Sequence, residues 1–205
     1  MAAAVLTGSA MNVNAQKVKN VVLVHGAFAD GTGWRGMYSV LTKKGYHVTV
    51  VQNSLSSLED DVAATKVALD KQDGPAILVG HSRGGAVITE AGNHPKVAAL
   101  VYVTPITHAA WRDKPTFAAL ATDDKSIDPG IQHAMYKRSN TKVTEVKGSH
   151  VIFMSQPDAV AKVIVEAANN IKLTILQWAT DKKSACVKSN ADFAFGSFLI
   201  LRNCG

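Results

Sequence analysis

Short apolar runs alternate with amphipathic stretches along most of the chain. Val21–Val24, Val48–Val51, Ala76–Val79, Ala99–Val103, Phe117–Ala121 and Val143–Val146 are brief and rich in strand formers. Runs of that length read as strands buried between two layers. The stretches between them have helical spacing. Trp34, Met37, Val40 and Leu41 fall on one helical face. Ser56-x-x-Glu59 reads as a capping box that opens a helix through about Lys71. A helical run, Ala86–Ala91, follows the third strand. Asp128 before Pro129 is the signature of an N-cap with proline in the first turn, and that helix extends to about Arg138. Ser155-x-x-Asp158, with Pro157, predicts a last helix carrying Val160, Val163, Ile164 and Ala167. Strand and helix in alternation predict an α/β fold, a mostly parallel central sheet flanked by helices on both faces. In such sheets ligands sit beyond the carboxyl ends of the strands.

Composition narrows the picture. The chain has 205 residues, of which 47% are apolar and 19% charged, enough for one domain with a sizeable core. Net charge is +6. The basic residues are scattered, with no Lys/Arg run interleaved with aromatics, so no nucleic-acid partner is expected. No run approaches the roughly 20 apolar residues of a membrane span. The cysteines, Cys186 and Cys204, lack metal-type spacing, so no metal is expected, and whether they pair is left open. Residues 1–15 carry no charge and end in Val13-Asn14-Ala15, close to a signal-peptidase pattern. Residues 1–18 therefore read as the remnant of an export signal or as a disordered N-terminus. A functional signal implies the periplasm or secretion, and its absence the cytoplasm. Residues 19–170 hold the domain. Residues 171–205 form an extension ending in the apolar Phe193–Leu201, which reads either as an added edge strand or cover, or as an aggregation-prone tail.

The chemistry concentrates in Gly80-His81-Ser82-Arg83-Gly84-Gly85. Gly-x-Ser-x-Gly between a strand and a helix describes a turn so sharp that Gly80 and Gly84 must lack Cβ atoms. The turn lifts the Ser82 hydroxyl above the sheet edge, while the helix beginning near Arg83 aims N–H groups at the same point. A serine hydroxyl needs a base. Of His25, His47, His81, His94, His108, His133 and His150, only His150 lies late in the chain on a loop after a strand, in Gly148-Ser149-His150. His25 and His81 read as parts of the turn frameworks. The carboxylate that orients the base should follow a strand between Ser82 and His150. Asp124 is the choice, with Asp123 next, and Asp128 reads as a helix cap. The oxyanion requires two preorganised donors. The N–H of Arg83 is one. Ala27 N–H is the first choice for the other and Phe28 N–H the second, from His25-Gly26-Ala27-Phe28.

Taken together, these segments resemble an α/β-hydrolase of the compact bacterial esterase type. Val21–Gly31 is similar to that family's oxyanion segment, and Gly80–Gly85 to its nucleophile elbow. Asp61–Thr65, Gln72–Pro75, Trp111–Lys125, Gly148–His150 and Ser155–Pro157 match its other segments, over about Lys19 to Asn169. The resemblance implies a serine carboxylesterase acting on a small-molecule ester without a cofactor, through Ser82, Asp124 and His150. It says nothing of oligomeric state. Three departures stand out. Only residues 104–110 separate Val103 from Trp111, too few for the family's helical cap, so the pocket should be shallow and suited to short or small esters. Arg83 stands where a bulky apolar residue is common, as a surface charge or as a contact for acidic acyl groups. Residues 171–205 match no segment of the family. Two rivals follow: lyase, perhydrolase or carbon–carbon hydrolase chemistry on the same triad, and a ligand-binding protein without catalysis.

Overall fold

A computed structural model describes residues 17–104 and 114–171. The export-signal reading of residues 1–16, the tail after Ile171 with Cys186 and Cys204, and His108 with most of the β4–β5 connection lie outside the described residues.

Six strands, β1 (Asn20–Val24), β2 (His47–Val51), β3 (Ala76–His81), β4 (Val97–Val103), β5 (Thr116–Ala121) and β6 (Lys142–Val146), form one sheet in the order β2-β1-β3-β4-β5-β6. Every described pairing is parallel, where the sequence suggested a mostly parallel sheet. Both faces of β1, β3 and β5 are buried throughout, which is why their apolar runs are continuous and not alternating.

The helices are α1 (Arg35–Lys43), α2 (Leu58–Asp70), α3 (Arg83–Ala91), α4 (Pro129–Arg138), α5 (Ile152–Ser155) and α6 (Pro157–Asn170). A 3-10 turn, Gly31–Trp34, leads into α1. Val22, Val24, Leu78, Leu100, Tyr102, Ala118 and Leu120 point to one face, where Leu69 of α2, Val87 and Ile88 of α3 and Tyr136 of α4 complete a core. The alternate strand positions face α1 and α6, which pack on each other and bury Met37, Leu41, Val160, Val163 and Ile164. Val18 is also buried, so the folded body begins one residue ahead of the expected boundary at Lys19.

Two helix starts differ from expectation. The N-cap of α2 is Ser57, not Ser56: Ser57 Oγ accepts from Asp60 N at 3.0 Å. Ser56 instead donates its hydroxyl to the Asp60 carboxylate at 2.6 Å, so both serines serve the first turn and the cap sits one residue later. Ser155 does not cap α6, because it ends α5, whose last turn runs almost directly into Pro157. Asp128 caps α4 as expected, accepting from Ile131 N at 3.0 Å.

The chain leaves β1, passes to the sheet edge at β2, and returns past β1 to form β3. The loops that follow β1 and β3 therefore diverge to opposite faces, and a crevice opens between them at the carboxyl end of the sheet. The loop of His25–Phe28 and the turn of Ser82 flank that crevice.

Candidate active site

The turn between β3 and α3 is tight enough to exclude side chains. A Cβ on Gly80 would run into the carbonyl oxygen of Gly84. One on Gly84 would stand 2.6 Å from Val24 O and 2.8 Å from His25 O, so α3 starts directly against the end of β1. Ser82 takes φ 49° and ψ −120°, a backbone conformation costing a non-glycine residue roughly 1–3 kcal/mol. The neighbours that hold it there are Val103, whose carbonyl accepts Ser82 N at 3.0 Å, and Gly85, whose N–H donates to Ser82 O at 2.8 Å. On the other flank, a Cβ on Gly26 would fall 2.9 Å from Ser82 Cβ. The segment expected to supply oxyanion donors thus lies against the serine, with Ala27 one peptide further on. Phe28 adopts φ 57° and its side chain is fully exposed.

Asp124 and His150 come together at the ends of β5 and β6. His150 Nδ1–H donates to Asp124 Oδ2 at 2.9 Å, and the Asp124 side chain has no solvent exposure. Gln132 Nε2 donates to the same oxygen at 3.0 Å, while Ser126 N and Ile127 N donate to Oδ1 at 2.8 and 3.0 Å. Burial pushes the Asp124 carboxyl up, but the His150 hydrogen bond and the Ile127 and Ser126 N–H groups more than reverse it, and it titrates below the ordinary carboxylate value. Asp123 points away: it is exposed, and its own N–H donates to Gly148 O at 3.0 Å, tying the two loops together. Gly148, at φ 151°, opens the loop that carries His150.

The remaining described histidines are engaged elsewhere. His25 Nε2 accepts Asn53 N at 3.0 Å and its Nδ1–H donates to Gly26 O, a fixed tautomer that joins the loops after β1 and β2. His94 pairs with Asp70 and His133 with Glu145 on the surface, and His47 lies on the exposed start of β2. His81 is buried between Phe153, with ring centroids 4.3 Å apart, and Trp34. Its Nε2–H donates to the carbonyl oxygen of His150 at 3.0 Å.

Arg83 departs from both expectations for its side chain. Its guanidinium forms an ion pair with Asp61 of α2, whose side chain is completely buried. Asp61 also accepts the N–H of Leu55 at 3.0 Å. A buried carboxylate captures the guanidinium because an unpaired charge there is costly. Arg83 therefore ties the first turn of α3 to α2 and offers no free charge to a substrate. Asp61, Thr104 and Gln132 were not identified as site residues from the sequence. Asp61 was singled out only within a matching segment, and Thr104 only as the first residue after a strand. Gln132 has no local signal at all, being a polar residue on a helix.

Among the described residues no group of three or more His, Cys, Asp or Glu side chains is arranged to hold a metal, and no helix is long and apolar enough to cross a membrane.

His81 makes the fold acid-sensitive. Burial depresses it from 6.5 to about 4, against the partial support of its hydrogen bond to His150, with Asp124, His25 and the His150 ring also in range. Below pH 6.5 the unfolded chain takes up a proton that the folded chain refuses, so stability falls as pH drops from about 6.5 to about 4. The difference between the two values corresponds to about 3 kcal/mol over that window. Denaturant unfolding at pH 7 and pH 4 should show this loss in the wild type. His81→Gln, which does not titrate, should lose about 3 kcal/mol less; an equal loss in both proteins would refute the assignment.

The profile of the alpha/beta hydrolase family matches residues 21–108. A pyrethroid hydrolase from Sphingobium wenxiniae is 33% identical over 131 residues, 58% of this chain and 45% of that protein, so the chain matches less than half of its relative's length. The fold is similar to the crystal structure of a pyrethroid hydrolase from Sphingobium faniae, with TM-score 0.65 and 19% identity, over 75% of this chain and 98% of that one. It is also similar to polyneuridine aldehyde esterase, with TM-score 0.65 and 15% identity, over 73% of this chain and 99% of that one. At those identities the structural likeness speaks for the fold alone.

Proposed function

We propose that the protein is an α/β-hydrolase and, within that superfamily, a serine carboxylesterase acting on small esters. The observation that carries this reading is His150, hydrogen-bonded through Nδ1 to the buried Asp124 on the same sheet edge as the strained Ser82. An imidazole so held keeps its proton on Nδ1 and leaves Nε2 free to act as base. The 33% identical relative is itself a pyrethroid hydrolase, which favours hydrolysis over the lyase and perhydrolase rivals.

In the proposed reaction Ser82 Oγ attacks the ester carbonyl while His150 Nε2 takes its proton. Asp124, already ionised, stabilises the imidazolium. The N–H groups of Arg83 and Ala27, with Phe28 as the alternative to Ala27, bind the oxyanion. The alcohol leaves with the proton from His150. Water then attacks the acyl-enzyme by the same route and restores Ser82. No cofactor enters any step. Only residues 104–115 join β4 to β5, so we read the acyl site as open to solvent and suited to short chains.

The test is a panel of p-nitrophenyl esters of increasing acyl length, run beside labelling with a fluorophosphonate probe. Hydrolysis highest on the shortest chains, with the label on Ser82, is the expected result. A β-diketone or cyanohydrin turned over far faster than every ester would move the reaction to another class on the same residues. A folded protein that neither labels nor turns over would leave the ligand-binding reading.

A further inference from the structure

The loop that presents His150 is held from beneath, by its backbone. The carbonyl oxygen of His150 accepts two hydrogen bonds, from His81 Nε2–H at 3.0 Å and from Thr104 Oγ1–H at 3.0 Å. The two donors come from the neighbours of the nucleophile. His81 precedes Ser82 in the elbow. Thr104 follows Val103, whose carbonyl accepts the Ser82 N–H. Both are buried, at 3% and 0% exposure. Thr104 is also held at φ 43°, a conformation that a β-branched residue rarely takes and that the surroundings must enforce. Its own N–H donates to Ala119 O of β5 at 3.3 Å, while its hydroxyl reaches the loop after β6.

His81 also lies against the segment of Gly26. Its other ring nitrogen, Nδ1, is buried without a hydrogen-bond partner, and it lies 3.1 Å from where a Cβ on Gly26 would stand. The ring therefore fills the space between the segment of Gly26 and the loop of His150, packed on Phe153 and 4.9 Å from the His150 ring. Two donors on a single carbonyl oxygen, from two different strand ends, fix the position of the His150 backbone relative to Ser82.

We propose that His81 and Thr104 are positioning residues that clamp the carbonyl of His150 and so set the distance between the base and the nucleophile. The proposal rests on the esterase reading for its kinetic arm only. Removing one donor lets the His150 loop shift, and misplacement of a catalytic group lowers the chemical step more than substrate binding.

The experiment uses conservative pairs. His81→Gln places an amide Nε2 near the position of imidazole Nε2 and keeps the donor, while His81→Asn is too short to reach. Thr104→Ser keeps the hydroxyl and Thr104→Val removes it with little change of shape. On a short p-nitrophenyl ester, His81→Asn and Thr104→Val should each lower kcat roughly tenfold, as expected for one hydrogen bond, with KM nearly unchanged. His81→Gln and Thr104→Ser should stay within about threefold of wild type. A second readout needs no substrate: the downfield proton resonance of the His150 Nδ1–H bonded to Asp124 should broaden or shift in the two donor-deleting variants and persist in the two conservative ones. If His81→Asn does not fold, the Thr104 pair decides alone. Wild-type kcat in both donor-deleting variants, or equal loss in the donor-keeping ones, overturns the clamp. An inactive wild type whose Nδ1–H resonance still responds as described would sink the esterase reading and leave the clamp standing.

Discussion

Ser82→Ala is expected to lower kcat on p-nitrophenyl acetate by on the order of 10⁴-fold or more, with the melting temperature unchanged. The size follows from what Ser82 would do. Without Oγ no acyl-enzyme forms, and what remains is water attacking an ester held by the oxyanion donors alone. The unchanged fold follows from the backbone. Alanine at φ 49° bears the same Cβ as serine and no more strain. Ser82 gives its main-chain N–H to Val103 and its carbonyl to Gly85, and the substitution leaves both in place. Loss of activity is therefore not attributable to loss of structure. Parallel ester hydrolysis and thermal melting of the two proteins make the check, and an Ser82→Ala protein with full activity would remove the serine mechanism altogether.

The elements most legible in the sequence were those decided by neighbours in the chain. Continuous apolar runs placed β1, β3, β4 and β5 because both faces of the sheet are covered there, and Asp128-Pro129 placed the start of α4 because a cap and a first-turn proline act within four residues. The elbow was legible in part for the same reason: Gly80 is needed by a contact inside the turn, with Gly84 O, whereas Gly84 is needed by the end of β1. Asp124 could be favoured over Asp123 only by reasoning about which of two adjacent carboxylates turns inward; Asp124 is buried and Asp123 exposed. Contacts across the sheet were not legible. Arg83 and Asp61 lie 22 residues apart, Thr104 and His150 lie 46 apart, and His81 and His150 lie 69 apart. No periodicity encodes such meetings. They arise from the order in which the strands assemble, with β3, β4 and β6 delivering their ends to one edge. The same holds for the donor role of His81, which reads from sequence as a turn residue and is one, but whose ring reaches the loop that follows β6.

Asp124→Asn should cost about 10⁴-fold in kcat while leaving the protein folded, and the hydrogen bonds say why. Oδ1 accepts two backbone N–H groups, from Ser126 and Ile127, which cannot be rearranged without unwinding the turn into α4. The amide oxygen of an asparagine must therefore occupy that position, and its NH₂ must occupy the place of Oδ2. That NH₂ then faces two groups which now donate to Oδ2. Gln132 can adapt by a half-turn of its amide, which presents Oε1 as an acceptor but gives up the second hydrogen bond of Nε2, to Ile127 O. His150 can adapt only by changing tautomer. With Nδ1 accepting from the asparagine, the ring proton moves to Nε2, and the nitrogen that should take the proton of Ser82 no longer has a lone pair to offer. The fold gives up one hydrogen bond, to Ile127 O, and the base loses its function. Kinetics on a short ester, with nitrogen chemical shifts of the His150 ring, test this: the wild type should carry its proton on Nδ1 and the variant on Nε2. Activity within tenfold of wild type, or a ring proton still on Nδ1, would mean that Asp124 does not orient the base. Asp123→Asn, one residue away on the exposed side of the same turn, should change neither readout. The contrast between two adjacent, chemically identical substitutions then isolates the hydrogen bond to His150 from any general effect of charge on this edge of the sheet.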